Sequence, residues 1–244
     1  MKKTFQILGL LAAHIDCASP EVGNGKSAGA VAAQPSAAVM ERHALLAEQI
    51  RDAITRGDLE HAQRDARRLG AIVSNAGSPD YEERLQRMRI ATRAIASAPD
   101  VTTAAHRFGG LAAACAGCHA RLGGPSWVDV SGTPPGPMGS AWAMSKHAWA
   151  MNQMYNGLLY NSEAPWSAGA DLLADRALWA DEILPGKTWP EGSDRITPSL
   201  SALGRQAQAT SDEDLRAKLY GELLATCGAC HARTGGGPVQ RWRQ

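Results

Sequence analysis

The chain of 244 residues has few aromatic residues, with only two Phe and four Tyr, and almost no runs of β-branched residues. Both absences speak against a sheet-rich fold and favour helices. Its 25 basic and 24 acidic residues nearly cancel, so nothing at this level indicates binding to a nucleic acid. The chain also lacks a Ser/His/Asp pattern, a phosphate-binding loop and a motif-placed pair of carboxylates. We therefore expect a protein without an enzymatic active site of those kinds.

Four of the five cysteines occur in two short motifs of the form C-x-x-C-H, namely Cys115-Ala-Gly-Cys118-His119 and Cys227-Gly-Ala-Cys230-His231. Each motif continues into Ala-Arg-x-Gly-Gly. This form is the signature for covalent attachment of a c-type haem, whose vinyl groups react with the two thiols while the adjacent imidazole binds the iron. On a helix, the three side chains fall within one sector of roughly 100°. We expect two haem c groups, with His119 and His231 as iron ligands.

Three other interpretations of the cysteines are alternatives to haem attachment. One zinc ion held by both cysteine pairs is an alternative, although the pairs are farther apart than in a zinc ribbon and the repeated His stays unexplained. A redox-active C-x-x-C would stand at the start of a helix after a strand, whereas these motifs lie near the ends of predicted helices. A disulfide within each motif would be strained and would again leave the histidines unexplained.

The N-terminal segment is typical of an exported protein. Met1-Lys2-Lys3 precedes an apolar run over residues 5–13, which is too short to span a bilayer. We predict that residues 1–17 are a secretion signal, or a lipoprotein signal that leaves a lipidated Cys17, and that residues 18–35 are a flexible linker. Haem attachment by this motif takes place outside the cytoplasm. We therefore expect a periplasmic or exported protein, anchored to the membrane if Cys17 is lipidated.

The chain contains an internal repeat. The two motifs are 112 residues apart, and Met40-Glu-Arg-His43 recurs as Met144-Ser-Lys-His147 after 104 residues. Residues 125–139 are rich in Gly and Pro and are predicted to link the two copies. The expected fold is all-α, with two tandem four-helix-bundle cytochrome domains. These haem c domains are predicted to comprise residues 36–124 and 140–236, followed by a tail over residues 237–244.

Each copy is predicted to contain four helices. In the first copy they cover about residues 36–56, 58–74, 78–98 and 100–122, with Asp58, Ser78 and Asp100 at the starts. In the second copy they cover about residues 140–160, 165–185, a segment from Thr197-Pro198, and a segment from Ser211 or Asp212 to the glycines at 235–237. Leu46, Ile50 and Ile54 recur at a spacing of four residues, as one face of a bundle helix requires.

Four helices with the attachment motif on the last one resemble the class II cytochromes c, which comprise cytochrome c′ and its low-spin relatives. Each half shows this resemblance separately, so the chain resembles a tandem, dihaem version of that family. The resemblance implies that helix one faces the open side of the iron. In that family, helix one supplies a Met ligand in the low-spin electron carriers. In cytochrome c′ it supplies an apolar residue, and the iron is five-coordinate.

Helix one of each copy offers two candidates for the sixth iron ligand. We predict His43 and His147, and we keep Met40 and Met144, three residues earlier on the same face, as alternates. Outside the motifs, only these two histidines occupy matched positions in the repeat, and His106 is expected to face away from the haem. Partial exposure at a helix start, without a ligand role, is the alternative for both. A His ligand would lower the redox potential relative to Met.

Together these features predict an electron carrier and not an enzyme. We expect a periplasmic dihaem cytochrome that exchanges electrons with redox partner proteins. The alternatives are a gas-binding protein resembling cytochrome c′, with an open site for NO or CO, and a dihaem peroxidase-type enzyme. Arg121 and Arg233, two residues after each motif His, are candidate partners of the haem propionates, or else ordinary solvated residues at a helix end.

Overall fold

A computed structural model describes residues 37–73, 82–122, 142–175, 191 and 195–238. Within these ranges the chain is all-helical, as predicted, and contains no strand. The eight helices are α1 (Ala37–Thr55), α2 (Leu59–Val73), α3 (Glu82–Ala96), α4 (Val101–Leu122), α5 (Trp142–Leu159), α6 (Glu163–Ala174), α7 (Ile196–Gln208) and α8 (Glu213–Thr234). The predicted signal with Cys17, the linkers at 18–35 and 125–139, the cap at Ser78 and the end of the tail lie outside the described residues.

Most described helix ends lie where the capping residues predicted them. Asp58, Asp100 and Asp212 each accept a hydrogen bond from the backbone N–H three residues later, at 3.1, 2.6 and 2.8 Å. Gly57 follows α1 with a φ of +78°, a conformation that glycine adopts without steric cost. Local chemistry therefore determines the start of α2 and of both motif helices.

Helix α6 differs from the prediction at its start. It begins at Glu163, two residues before Pro165, so that the proline lies inside the first turn. α7 likewise begins at Ile196 and contains Pro198 in its first turn. A proline is tolerated anywhere in the first turn because those backbone N–H groups have no partner within the helix, and so it does not mark the first residue. α6 ends at Ala174, before residues 176–190, which are not described.

Successive helices pack against each other in each copy. α1 packs on α2, α2 on α3 and α3 on α4, and the same order holds from α5 to α8. The predicted face of α1 is buried, since Leu46 is 6% exposed and Ile50 and Ile54 are fully buried. All described residues belong to one compact unit.

The most extensive contact between helices joins α4 to α8, the two helices that carry the motifs. They run antiparallel, because Gly109 lies against Ala217 while Gly221 lies against Ala105. A Cβ atom at Gly109 would collide with the carbonyl oxygen of Ala217, and one at Gly221 would lie 3.0 Å from that of Ala105. These contacts join equivalent positions of the repeat. α4 and α8 therefore cross about an approximate two-fold axis, with glycine permitting the close approach.

Of the two motif helices, the first helix of each copy packs more extensively on that of the other copy. α1 contacts α8 more extensively than α4, and α5 contacts α4 more extensively than α8. Each motif helix is therefore flanked by helices from both copies. The repeat in the sequence does not predict this exchange of neighbours.

Candidate functional site

The two motifs lie in the last turns of α4 and α8. Burial raises the pKa of Cys115 and of Cys227 to about 12, and the neighbouring thiol adds to the increase in each case. Burial also raises the pKa of Cys118 and of Cys230. None of these four cysteines forms a disulfide bond.

The antiparallel packing separates the two cysteine pairs. Cys115 follows Gly109 by six residues, and Cys227 follows Gly221 by six residues, in opposite directions along the helix pair. Because Gly109 lies opposite Ala217, four residues before Gly221, this stagger adds to the separation. With a rise of 1.5 Å per residue, Cys115 and Cys227 are about 24 Å apart along the helix axes. Thiols so far apart cannot bind one zinc ion at normal Zn–S lengths of about 2.3 Å. Among the residues that the structure describes, no group of three or more potential ligands surrounds a metal position.

Each motif imidazole lies near the predicted helix-one histidine of the same copy. Burial, and then the nearby His119, lower the pKa of His43. Burial, and then the nearby His231, lower the pKa of His147 to about 4. Both helix-one histidines are therefore neutral at pH 7. The Nε2 atoms of His43 and His147 are buried and have no hydrogen-bond partner, which is an unusual state for a buried polar atom.

The first site is completed by residues from α5 and α3. The ring of Tyr160 stacks on the ring of His119, with 5.4 Å between centroids and 15° between planes. Burial lowers the pKa of His119, and a hydrogen bond to the Leu159 carbonyl partly offsets this. Arg84 donates a hydrogen bond to the carbonyl of Gly117, inside the motif. The stacked Tyr160 ring restricts the orientation of the His119 imidazole, whose Nδ1 atom is buried and has no hydrogen-bond partner.

The second site is completed by the ends of α1 and α8. The Nδ1 atom of His231 lies 3.2 Å from the carbonyl oxygen of Gly235, which ends its own helix. Arg56, just after α1, donates a hydrogen bond to the Pro238 carbonyl at 3.1 Å. Gly228, inside the motif, lies against the Ile54 carbonyl. The two sites thus differ, because among the described residues only His119 has an aromatic ring of the other copy stacked on it.

The remaining predicted site residues have weaker support from their positions. Arg121 and Arg233 are exposed, and Arg233 donates a hydrogen bond of 3.4 Å within its own helix. Met40 and Met144 are half-buried in the first turns of α1 and α5. His106 is exposed, as expected for a residue facing away from the site. None of the described helices is long and apolar enough to cross a membrane.

The sequence does not indicate that Tyr160 and Arg84 belong to a site. Tyr160 corresponds to Arg56 in the first copy, so the repeat does not mark this position as part of a site. Tyr160 contacts His119 because α5 packs on α4. Arg84 is one of several arginines in α3, and its sequence position does not indicate a contact with the motif. Both contacts arise from tertiary packing.

Comparison of the chain with protein-family models gives no match, and searches of curated proteins and of solved structures give no significant match. The function is therefore argued from the residues of the two sites.

Proposed function

We propose that the protein is an exported dihaem c-type cytochrome that carries electrons between partner proteins. One observation carries this proposal: in both copies, a C-x-x-C-H motif lies beside a half-buried histidine whose Nε2 atom is buried and has no hydrogen-bond partner. Burying a polar nitrogen without a partner is unfavourable. Coordination to haem iron would satisfy it, and the same explanation would apply to His43 and to His147.

The residues of each site fit a haem c group. Two thiols and an imidazole share one end of a helix, and a neutral imidazole comes from a second helix. In this assignment the first haem is held by Cys115, Cys118, His119 and His43, and the second by Cys227, Cys230, His231 and His147. A bound haem supplies one-electron redox chemistry, and the protein supplies attachment, orientation and shielding from water.

Two imidazoles for each iron favour the carrier over the alternatives. A gas-binding protein or a peroxidase needs at least one iron with an open position, which the buried Nε2 of the helix-one histidine would fill. The second imidazole would also lower the potential relative to a Met ligand. Arg84, Arg121 and Arg233 are cationic groups near the motifs that are available to haem propionates.

The packing within each copy supports the resemblance to the class II cytochromes c. Four successive helices pack neighbour against neighbour, and the motif lies at the end of the fourth. We propose that the chain is a tandem member of that kind, with its two bundles joined through α4 and α8. The predicted signal at residues 1–17 supports a periplasmic location.

The spectrum of the ferrous protein, with and without carbon monoxide, tests this function. We expect two low-spin haems that do not bind carbon monoxide. High-spin iron that binds carbon monoxide at both sites would contradict the carrier function and favour gas binding. One binding site together with peroxide turnover would favour the peroxidase.

A further inference from the structure

A cluster of buried aromatic rings lies at the crossing of α4 and α8. Ring centroids are separated by 5.9 Å between Phe108 and Tyr155, 6.4 Å between Phe108 and Tyr220, and 5.7 Å between Tyr155 and Tyr220. Phe108 and Tyr220 are fully buried, and Tyr155 is 6% exposed. The chain has only two Phe and four Tyr, so half of them meet at this one place.

The cluster is built from equivalent positions of the repeat. Phe108 and Tyr220 are 112 residues apart, the same distance as the two motifs. Arg51 and Tyr155 are 104 residues apart, as are the two helix-one histidines. The Arg51 guanidinium lies 4.9 Å from the centroid of the Tyr155 ring. The approximate two-fold axis therefore passes through this cluster, which places it midway between the two motifs.

The cluster also shares helix faces with the motif thiols. Phe108 precedes Cys115 by seven residues, and Tyr220 precedes Cys227 by seven. Seven residues are almost two full turns, so each ring lies on the same face as its thiol, about 10 Å along the helix. Buried side chains thus extend from one motif through Phe108 and Tyr220 to the other, with Tyr155 packed against both rings.

We propose that Phe108, Tyr155 and Tyr220 form the path along which electrons pass between the two haem groups, an inference that rests on the proposed function. In one exchange, a haem held at one motif would give up one electron, and the haem held at the other motif would accept it. No bond forms or breaks, and no proton moves. Closely packed rings favour such transfer because electronic coupling decays steeply across gaps and less steeply through contiguous π-systems.

Arg51 opposes oxidation of the two tyrosines, so an electron would pass between the haems without forming a tyrosyl radical. Its side chain is only 15% exposed, lies over Tyr155 and hydrogen-bonds Tyr220. A positive charge over a ring opposes removal of an electron from that ring. Burial raises the pKa of Tyr220 to about 12, so no easily oxidised phenolate is present at neutral pH. The Tyr220 hydroxyl donates to the Met151 carbonyl at 3.3 Å, an acceptor that cannot take up the proton.

The test measures the rate of electron exchange between the two haems in purified, half-reduced, fully loaded protein. Replacing both tyrosines by leucine (Tyr155→Leu with Tyr220→Leu) should slow exchange several-fold while both haems stay attached with unchanged spectra. Replacing both by phenylalanine (Tyr155→Phe with Tyr220→Phe) should leave the rate unchanged because the rings remain. Leu173→Ala is the matched control. Leu173 is 1% exposed, in a helix without extensive contacts to α4 or α8, and its removal loosens the core elsewhere.

Exchange as fast in the leucine variant as in the wild type would overturn the path. Equal slowing in Leu173→Ala would show that a looser core slows the exchange. Equal slowing in the phenylalanine variant would show that the hydroxyl groups are responsible. Either result overturns the proposed path. If the double leucine variant does not fold, Tyr155→Leu alone is measured by the same criteria. Failure of the proposed function is recognised separately, from absence of haem absorption in the wild-type protein.

Discussion

His43 and His147 are the two residues on which iron coordination depends most directly. Replacing either with Ala should convert one of the two haems to a high-spin form that binds carbon monoxide, because the sixth ligand is lost and a small cavity opens beside the iron. Absorption and magnetic resonance spectra of the two variants measure this change. His106→Ala, at an exposed position of α4, is the control and should leave both haems low-spin. An unchanged spectrum in His43→Ala would exclude His43 as a ligand.

Asp100 is a second residue with a specific effect, on the pH dependence of stability. Hydrogen bonds from the backbone and side chain of Thr103 lower the pKa of Asp100. A carboxylate with a lowered pKa in the folded state stabilises the protein above its unfolded pKa, and this contribution is lost as the pH falls through the folded value. Melting temperature measured from pH 6 to pH 2 should therefore fall more steeply in the wild type than in Asp100→Asn. Parallel curves would contradict this role of Asp100.

At the residue scale, the sequence predicts those site residues that are identified by their spacing along the chain. The thiols, the motif histidines and the helix-one histidines follow from their positions in the repeat, and the structure places His43 near His119 and His147 near His231. Tyr160 could not be predicted. Its stacking on His119 depends on how α5 packs against α4, which no local pattern encodes.

At the scale of helices, the close approach of α4 and α8 leads to a paired prediction. Gly109→Ala should destabilise the protein by about 1–3 kcal/mol, because the new Cβ collides with the Ala217 carbonyl and forces the helices apart. Gly110→Ala is the matched control, since nothing lies within 4 Å of a Cβ at that exposed position. It should stabilise the protein by about 0.5–1 kcal/mol through helix propensity. Denaturant unfolding measures both. Similar effects of the two substitutions would contradict the antiparallel contact.

Helix positions were largely predictable, whereas helix pairing was not. The aspartates at 58, 100 and 212 mark the starts of α2, α4 and α8 because their side chains satisfy N–H groups that the helix leaves free. Pro165 was a weaker signal, since it fits any position of the first turn. Gly109 and Gly221 are visible in the sequence, but a glycine does not indicate which helix approaches it.

For the whole molecule, the exchange of neighbours between the copies predicts cooperative unfolding. Five of the seven tryptophans lie in the second copy, residues 140–236, and the first copy contains none, so their fluorescence reports mainly on the second copy. Ile95→Ala, at a fully buried position of α3, should cost about 2–5 kcal/mol. Because α4 joins both copies, we expect the tryptophan transition to shift together with the transition of total helix content. A tryptophan transition unaffected by Ile95→Ala would show that the copies unfold independently.

The all-helical fold follows from composition, since few residues favour strands and the capping signals recur along the chain. The division into two separate bundles does not follow as directly. The first helix of each copy has an apolar face that its own motif helix could cover, yet α1 and α5 pack more extensively on the motif helix of the other copy. Sequence periodicity determines which face of a helix is buried. It does not determine which other helix packs against that face.

Intact mass of the exported protein after denaturation and extraction of loosely bound groups tests the two attached haems most directly. We predict a mass increased by two haem groups, with the thiols at Cys115, Cys118, Cys227 and Cys230 unreactive towards alkylation. A mass without added haem, or with one haem and two reactive thiols, would contradict the dihaem assignment.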